Sequence, residues 1–560
     1  MPGTKARRTL VLAVVAAVSV ALSGCANSDR EDTGGGDGNA ASSKDTLVFG
    51  AAGEPKLFDP AFASDGETFR VLKQIYEGLV KTKQGSAEIE PALATKWEPS
   101  PDGKKWTFTL REGVKFSDGT EFNAEAVCFN FNRWYNFSGA LQSPDVSAYW
   151  QDTFGGFAKN ESPDLPTSLF KSCSTTGANT VAIELASPTG RFPAALALPA
   201  FAMQSPAALQ KYEADKVTAS GDTFEYPSYA TEHPTGTGPY KLDSRDTASK
   251  TVTLVRNDDY WGDKAKIAKI VFKVIPDNNA RKQELQAGTI DGYDLVAPGD
   301  IESLKGAGEQ ILDRPPFNIL YVGINQKNPA LAKLKVRQAL AHAINREALV
   351  RSKFPPAAQV AKQFMPPEVG GYADDVTEYP YDPAKAKQLL AEAGEADLSL
   401  KFYWPTEVSR PYMPNPKEVF EVVSADLQKV GIKITPVAKV WNSGYLTDVS
   451  SGRADIHLLG WTGDYNDAYN FNGTFFGRVK PEFGFNNPAI FAAIAKADAI
   501  PDAAQRADAY KAVNRQIVDF LPAVPIAHSP PSLAAQSEVK DLFPSPVQNE
   551  EFSLVYTEGT

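Results

Sequence analysis

Lys417-Glu-Val-Phe-Glu-Val-Val-Ser-Ala-Asp-Leu-Gln-Lys-Val430, then Gly431, then Ile432-Lys-Ile-Thr-Pro-Val437, is the stretch on which the fold turns. Val419, Phe420, Val423, Leu427 and Val430 recur at steps of three and four, which places them on one face of a helix. Gly431 stops that helix, and the apolar residues beyond it predict a strand. Helix, glycine, strand is an α/β unit that packs on a sheet.

The same grammar runs outward from it. Asp382-Pro383 supplies an N-cap and a first-turn proline, and Gly394 closes the helix after Leu389-Leu390. Over 336–350, Val336, Leu340, Ala343, Ile344 and Val350 sit at helical spacing and predict one helix. Residues 280–287 predict a short helix closed by Gly288, followed by a strand over 290–296. Nearer the start, 46–50 reads as a buried strand, 69–80 as a helix and 106–110 as a half-buried strand before the turn Ser117-Asp118-Gly119-Thr120. Residues 131–229 are rich in Pro, Ser, Gly and Thr and read as a loop-rich insert. Strands and helices alternate, so the class is α/β, and 560 residues predict two or three domains.

The chain opens with Lys5, Arg7 and Arg8, an apolar run over 10–22, and Leu22-Ser23-Gly24-Cys25. A basic start and a short apolar core predict an export signal, residues 1–24, too short to span a membrane. The ending resembles a bacterial lipobox, which implies cleavage before Cys25 and a lipid on that cysteine. Residues 25–45 carry almost no large apolar side chain and read as a flexible tether. Arg7-Arg8 weakly suggests twin-arginine export instead.

With 42% hydrophobic and 22% charged residues the body is neither disordered nor a membrane bundle. The net charge of −11 becomes about −14 without the three leader cations, which argues against nucleic acid or anionic lipid as a partner. Once Cys25 is assigned to lipid, Cys128 and Cys173 are left, in an exported chain a natural disulfide, with two buried free thiols as the alternative.

Catalytic signatures are missing from the sequence. The four histidines, His233, His342, His457 and His528, have no zinc-site spacing, and neither a Gly-x-Ser-x-Gly elbow nor a phosphate loop occurs. Ser168-Leu-Phe-Lys171 lacks the companion elements of penicillin-recognising enzymes, and Asp464-Tyr-Asn-Asp467 lacks the glycine of a calcium loop. No enzyme, metal site or cofactor is expected.

A series of phrases then carries the reading further: Ile75-Tyr-Glu-Gly-Leu-Val80, Pro91-Ala-Leu-Ala-Thr-Lys-Trp97, Asp102-Gly-Lys-Lys-Trp-Thr-Phe-Thr-Leu-Arg111, Gly236-Thr-Gly-Pro-Tyr-Lys241, Arg256-Asn-Asp-Asp-Tyr-Trp261, Val336-Arg-Gln-Ala-Leu-Ala-His-Ala-Ile-Asn345 and Gly460-Trp-Thr-Gly-Asp464-Tyr. Together, and in this order, they resemble the family 5 solute-binding proteins of ABC importers, the oligopeptide, dipeptide and nickel binding group. The resemblance implies a periplasmic-binding-protein-like fold of two α/β lobes around a cleft, with a hinge and an additional smaller domain. The expected first lobe is 46–80, 222–316 and 522–560, the additional domain 81–221 and the second lobe 317–521.

The resemblance also implies the site. Asp464 falls on the carboxylate that captures a peptide's amino-terminus, with Trp461 and Gly460 on the same phrase. Trp441 matches a cleft tryptophan, and Glu54 a ligand-contacting glutamate. Leu458 stands where oligopeptide receptors carry an Arg, so their carboxyl-end contacts do not transfer. The expected protein is a lipid-anchored, monomeric, extracytoplasmic receptor delivering peptides to a membrane permease, with oligosaccharide or nickel and metallophore cargo as the alternatives.

Overall fold

The computed structural model describes residues 44–221, 223–548 and 550–558. The leader, the tether and Cys25 lie outside these residues, apart from the tether's last two positions.

Three sheets organise the chain. The first runs in the order Tyr240–Asp246, Thr251–Arg256, Lys269–Val274, Thr46–Ala51, Gly292–Asp294, Ser532–Ala535 and Gln310–Asp313. Thr46–Ala51 pairs in parallel with both of its neighbours, as a strand inside an α/β lobe should. The second sheet runs Gln359–Val360, Ala523–His528, Asn318–Ile324, Ile456–Thr462, Ser399–Thr406 and Lys433–Val440. The third is antiparallel, in the order Ala94–Pro99, Lys105–Leu110, Thr180–Leu185 and Phe170–Gly177.

The strand Asn318–Ile324 shows how the second sheet is held. Leu320, Val322 and Ile324 point into one core beside Val336, Leu340, Val419 and Leu427, whereas Ile319 and Tyr321 point into another beside Phe471, Phe475 and Phe476. Both faces are covered, so the strand is apolar throughout. The helix Pro416–Lys429 and the strand Lys433–Val440 form the unit expected around Gly431. A separate core joins the first sheet to the third and to the helices beside it, so the additional domain and the first lobe share one apolar body.

Several local expectations are corrected. The single helix over 336–350 is two, Leu334–Ala343 and Arg346–Lys353. Asn345 sits between them, and its side-chain oxygen accepts the Ala348 amide at 3.0 Å, opening a new helix rather than continuing the old. The strand over 290–296 shrinks to Gly292–Asp294, because Leu295 turns to a positive φ of 60°. The supposed loop-rich insert holds two long strands and the helix Pro144–Phe154, whose apolar residues lie in irregular order around an aromatic core. The last segment assigned to the first lobe, 522–560, begins too early. Ala523–His528 pairs with Asn318–Ile324 in the second sheet, and the chain crosses back only before Ser532–Ala535. Cys128 and Cys173 form the disulfide, with Cα atoms 5.2 Å apart, pinning the helix Ala124–Tyr135 to the third sheet.

Candidate functional site

A cleft of about 1140 Å³ lies where the first lobe, the additional domain and the second lobe converge. Glu54, Trp441, Gly460, Trp461 and Asp464 all line it, although they come from widely separated parts of the chain.

The strand Ile456–Thr462 delivers Gly460 and Trp461 to this wall. At Gly460 a methyl group would lie 2.3 Å from the Ile319 carbonyl oxygen and 2.3 Å from the Tyr412 ring, so the backbone itself forms the surface there. The Trp461 indole meets Phe475 edge-on at 5.7 Å. Its Nε1 donates to Asn470 Oδ1 at 3.1 Å, and the Asp464 backbone amide donates to the same oxygen at 2.8 Å. One buried amide from the helix Ala468–Phe476 therefore holds both residues of the phrase.

Asp464 is half-buried. From the additional domain, the Tyr149 hydroxyl donates to its Oδ1 at 3.1 Å. Burial raises the Asp464 carboxyl, the Tyr149 and Asn470 hydrogen bonds pull it down and the Asp152 charge pushes it up, leaving it at about 7. Such a carboxylate is poorly solvated and gains by meeting a cation.

Trp441 is buried, stacked on Tyr445 at 5.8 Å, with the Arg410 guanidinium 4.4 Å from its ring centre. Arg410 also lines the cleft, and its buried Nε finds no hydrogen-bond partner among the described residues. Glu54 is already paired, accepting from Arg245 at 2.7 Å, so a ligand there competes with an ion pair. His457, next to the site phrase in sequence, is not part of the cleft wall. It is fully buried against Tyr321 and Phe483, and burial depresses its imidazole to about 3. Leu458 turns into the core on the sheet's other face.

Tyr149, Asn470 and Arg410 were not anticipated from sequence. Asn470 left a faint signal, a polar residue inside the aromatic run that follows Asp464. Tyr149 and Arg410 left none: Tyr149 sits on the helix Pro144–Phe154 inside the stretch read as loop-rich, and Arg410 lies outside any helix or strand.

The model for bacterial extracellular solute-binding proteins, family 5 (Middle), matches residues 88–482. The chain belongs to this family. Family 5 members resembling it include the dipeptide-binding protein of Escherichia coli K12, 34% identical over 92% of this chain and 95% of that one. Heme-binding protein A of Haemophilus influenzae is 31% identical over 99% of this chain and 100% of its own length. Among solved structures, the ABC transporter-associated periplasmic binding protein DppA from Helicobacter pylori in complex with peptide STSA superposes with a TM-score of 0.75. It is 27% identical, covering 92% of this chain and 98% of that one. As a family 5 protein the chain has the two-lobe fold of a family whose members are solute-binding components of transporters. Among the described residues, no helix is long and apolar enough to cross a membrane.

Proposed function

We propose that this family 5 protein captures short peptides with a free amino-terminus between its lobes and delivers them to an ABC importer's permease. The observation that carries the reading is the pair of uncompensated charges on the cleft wall. Asp464 is an acid raised by burial, and Arg410 is a cation whose buried Nε has no partner among the described residues. A zwitterion satisfies both: its ammonium meets Asp464 and its carboxylate meets Arg410. The names of the Escherichia coli and Helicobacter pylori relatives support peptide as the cargo. A cleft of about 1140 Å³ exceeds the usual range for small ligands, which leaves room for more than two residues.

In this reading residues 46–80, 222–316 and the tail from Ser532 make the first lobe, 81–221 the additional domain, and 317 to His528 the second lobe. Cys25 carries the lipid that keeps the monomeric receptor on the outer face of the membrane. Heme is the competing cargo, on the strength of a full-length relative of that name.

Calorimetric titration of the wild type and of Asp464→Asn with the dipeptide Met-Leu, its N-acetylated form and hemin tests the proposal. Met-Leu binds the wild type, and both N-acetylation and Asp464→Asn weaken it by about two to four decades, the cost of breaking a buried pair from one side. Equal affinity for free and acetylated peptide, or hemin binding without peptide binding, overturns the reading.

A further inference from the structure

The additional domain, which shares a core with the first lobe, meets the second lobe away from 314–317 and 529–531, the two crossings where the chain passes between the first and second sheets. Thr189, Gly190 and Arg191 follow the third sheet and lead directly into Phe192, which belongs to the core shared by the first lobe and the additional domain. Opposite them is Asp498, the last residue of the helix Pro488–Asp498, whose Ile494 and Ala497 belong to a second-lobe core.

A helix ends with carbonyls that have no partner and with partial negative charge, so an Asp at that position is doubly disfavoured. Here the compensation comes from the additional domain. The Gly190 amide donates to the Asp498 carbonyl at 2.8 Å. Thr189 Oγ1 donates to Asp498 Oδ1 at 3.1 Å, and the Arg191 guanidinium pairs with Oδ2. The pair is largely shielded, with Arg191 7% and Asp498 13% exposed. The fit is also steric: a methyl group on Gly190 would lie 2.0 Å from Arg506 Nη1 and 2.1 Å from the Ile500 carbonyl oxygen.

This contact reaches the ligand site through two residues. The Arg191 guanidinium carbon stands 3.8 Å from the centre of the Tyr469 ring. Arg506, packed against Gly190, donates through Nε to Asp467 at 2.9 Å. Asp467 caps the helix Ala468–Phe476 by accepting the Tyr469 amide at 2.9 Å, and that helix bears Asn470, the support of Asp464 and Trp461.

We propose that Arg191 is a positioning residue for ligand retention: with Gly190 it forms a cap in trans on the Asp498 helix end that locks the lobes together and steadies the Asp464 loop. Parting the lobes exposes the Asp498 helix end, so the cap acts on the closed form and on the rate of release, not on encounter. The inference rests on the reading of the cleft as a ligand site that opens about the two crossings.

The test uses the full chain with dyes on Lys171→Cys and Asp508→Cys, both exposed and one on each body. Interlobe energy transfer and the kinetics of Met-Leu binding are measured for the wild type, Arg191→Gln, Gly190→Ala and the swap Arg191→Asp with Asp498→Arg. Arg191→Gln and Gly190→Ala lengthen the interlobe distance and raise the dissociation rate at least tenfold, with association changed less than twofold. The swap recovers part of both losses. Gly190→Ala removes no charge and acts through the packing of Arg506 and Ile500, so agreement between the two variants separates the cap from the loss of the Arg191 charge alone. Unchanged distance and dissociation in both variants, or a loss confined to association, overturns the proposal. If Met-Leu does not bind the wild type, the peptide reading falls, and the dye distances alone decide the cap.

Discussion

Asp464 shows what a single carboxyl contributes and what it costs. Its pKa is raised to about 7, well above an exposed Asp, so the folded protein holds the proton more tightly than the unfolded chain does. Ionising it therefore costs stability as the pH climbs from about 4 to about 7, and that cost is offset when an ammonium arrives. Peptide affinity is expected to fall roughly tenfold per unit below pH 7 as the carboxylate is neutralised, with no such dependence in Asp464→Asn. Titrating Met-Leu between pH 5 and 8 checks this, and a flat wild-type profile contradicts it. Asn470→Ala removes the acceptor shared by the Trp461 indole and the Asp464 amide, and is expected to weaken binding by about ten- to a hundredfold while preserving the Asp464 pH profile. An Asn470→Ala variant with wild-type affinity would show that the loop needs no such support.

At the scale of elements, a disulfide ties the third sheet to the helix beside it. Cys128 on the helix Ala124–Tyr135 and Cys173 on the strand Phe170–Gly177 close a loop of 45 residues. In the chain-entropy account such a closure stabilises by about 4 kcal/mol, less any strain. Replacing both cysteines by Ser is expected to lower the melting temperature and the denaturant midpoint, with the additional domain yielding first in hydrogen exchange around Phe170–Gly177. Uniform loss of protection across the chain would show instead that the additional domain and first lobe unfold as one, as their common core also permits.

Across the whole molecule, a buried ion cluster binds distant parts of the chain. Arg70, from the helix Gly66–Ile75, pairs with Asp294 and Glu550, and Arg314, between the first-sheet strand Gln310–Asp313 and the second-sheet strand Asn318–Ile324, pairs with the same two acids. All four side chains are essentially inaccessible to water. Burial alone would raise Asp294, but the Arg314 and Arg70 guanidiniums outweigh it and hold the carboxyl well below the ordinary range. A depressed folded pKa gives stability that is present above the unfolded value, near 4, and is lost as the pH falls below it. Glu550→Gln leaves a buried guanidinium short of charge and is expected to cost about 3–5 kcal/mol, read as a shifted urea midpoint at pH 7. A midpoint unchanged by the substitution would mean that the cluster positions the tail without stabilising it. The proposed lipid on Cys25 has its own test: Cys25→Ser is expected to release the protein into the medium, and retention on membranes after a salt wash would refute lipid tethering.

Sequence alone determined the α/β class and the unit around Gly431, because periodic burial and short-range turn chemistry are written in neighbouring residues. It also brought Asp464, Trp461 and Trp441 into consideration through a resemblance, and all three line one cleft. Tertiary structure decided what depends on pairing between distant segments. Ala523–His528 is as apolar as a first-lobe strand would be, and only its pairing with Asn318–Ile324 assigns it to the second sheet. Tyr149 meets Asp464 across 315 positions, and Arg191 meets Asp498 across 307, at contacts that no local pattern encodes. Such contacts join residues more than 300 positions apart, which is why they cannot be read along the chain.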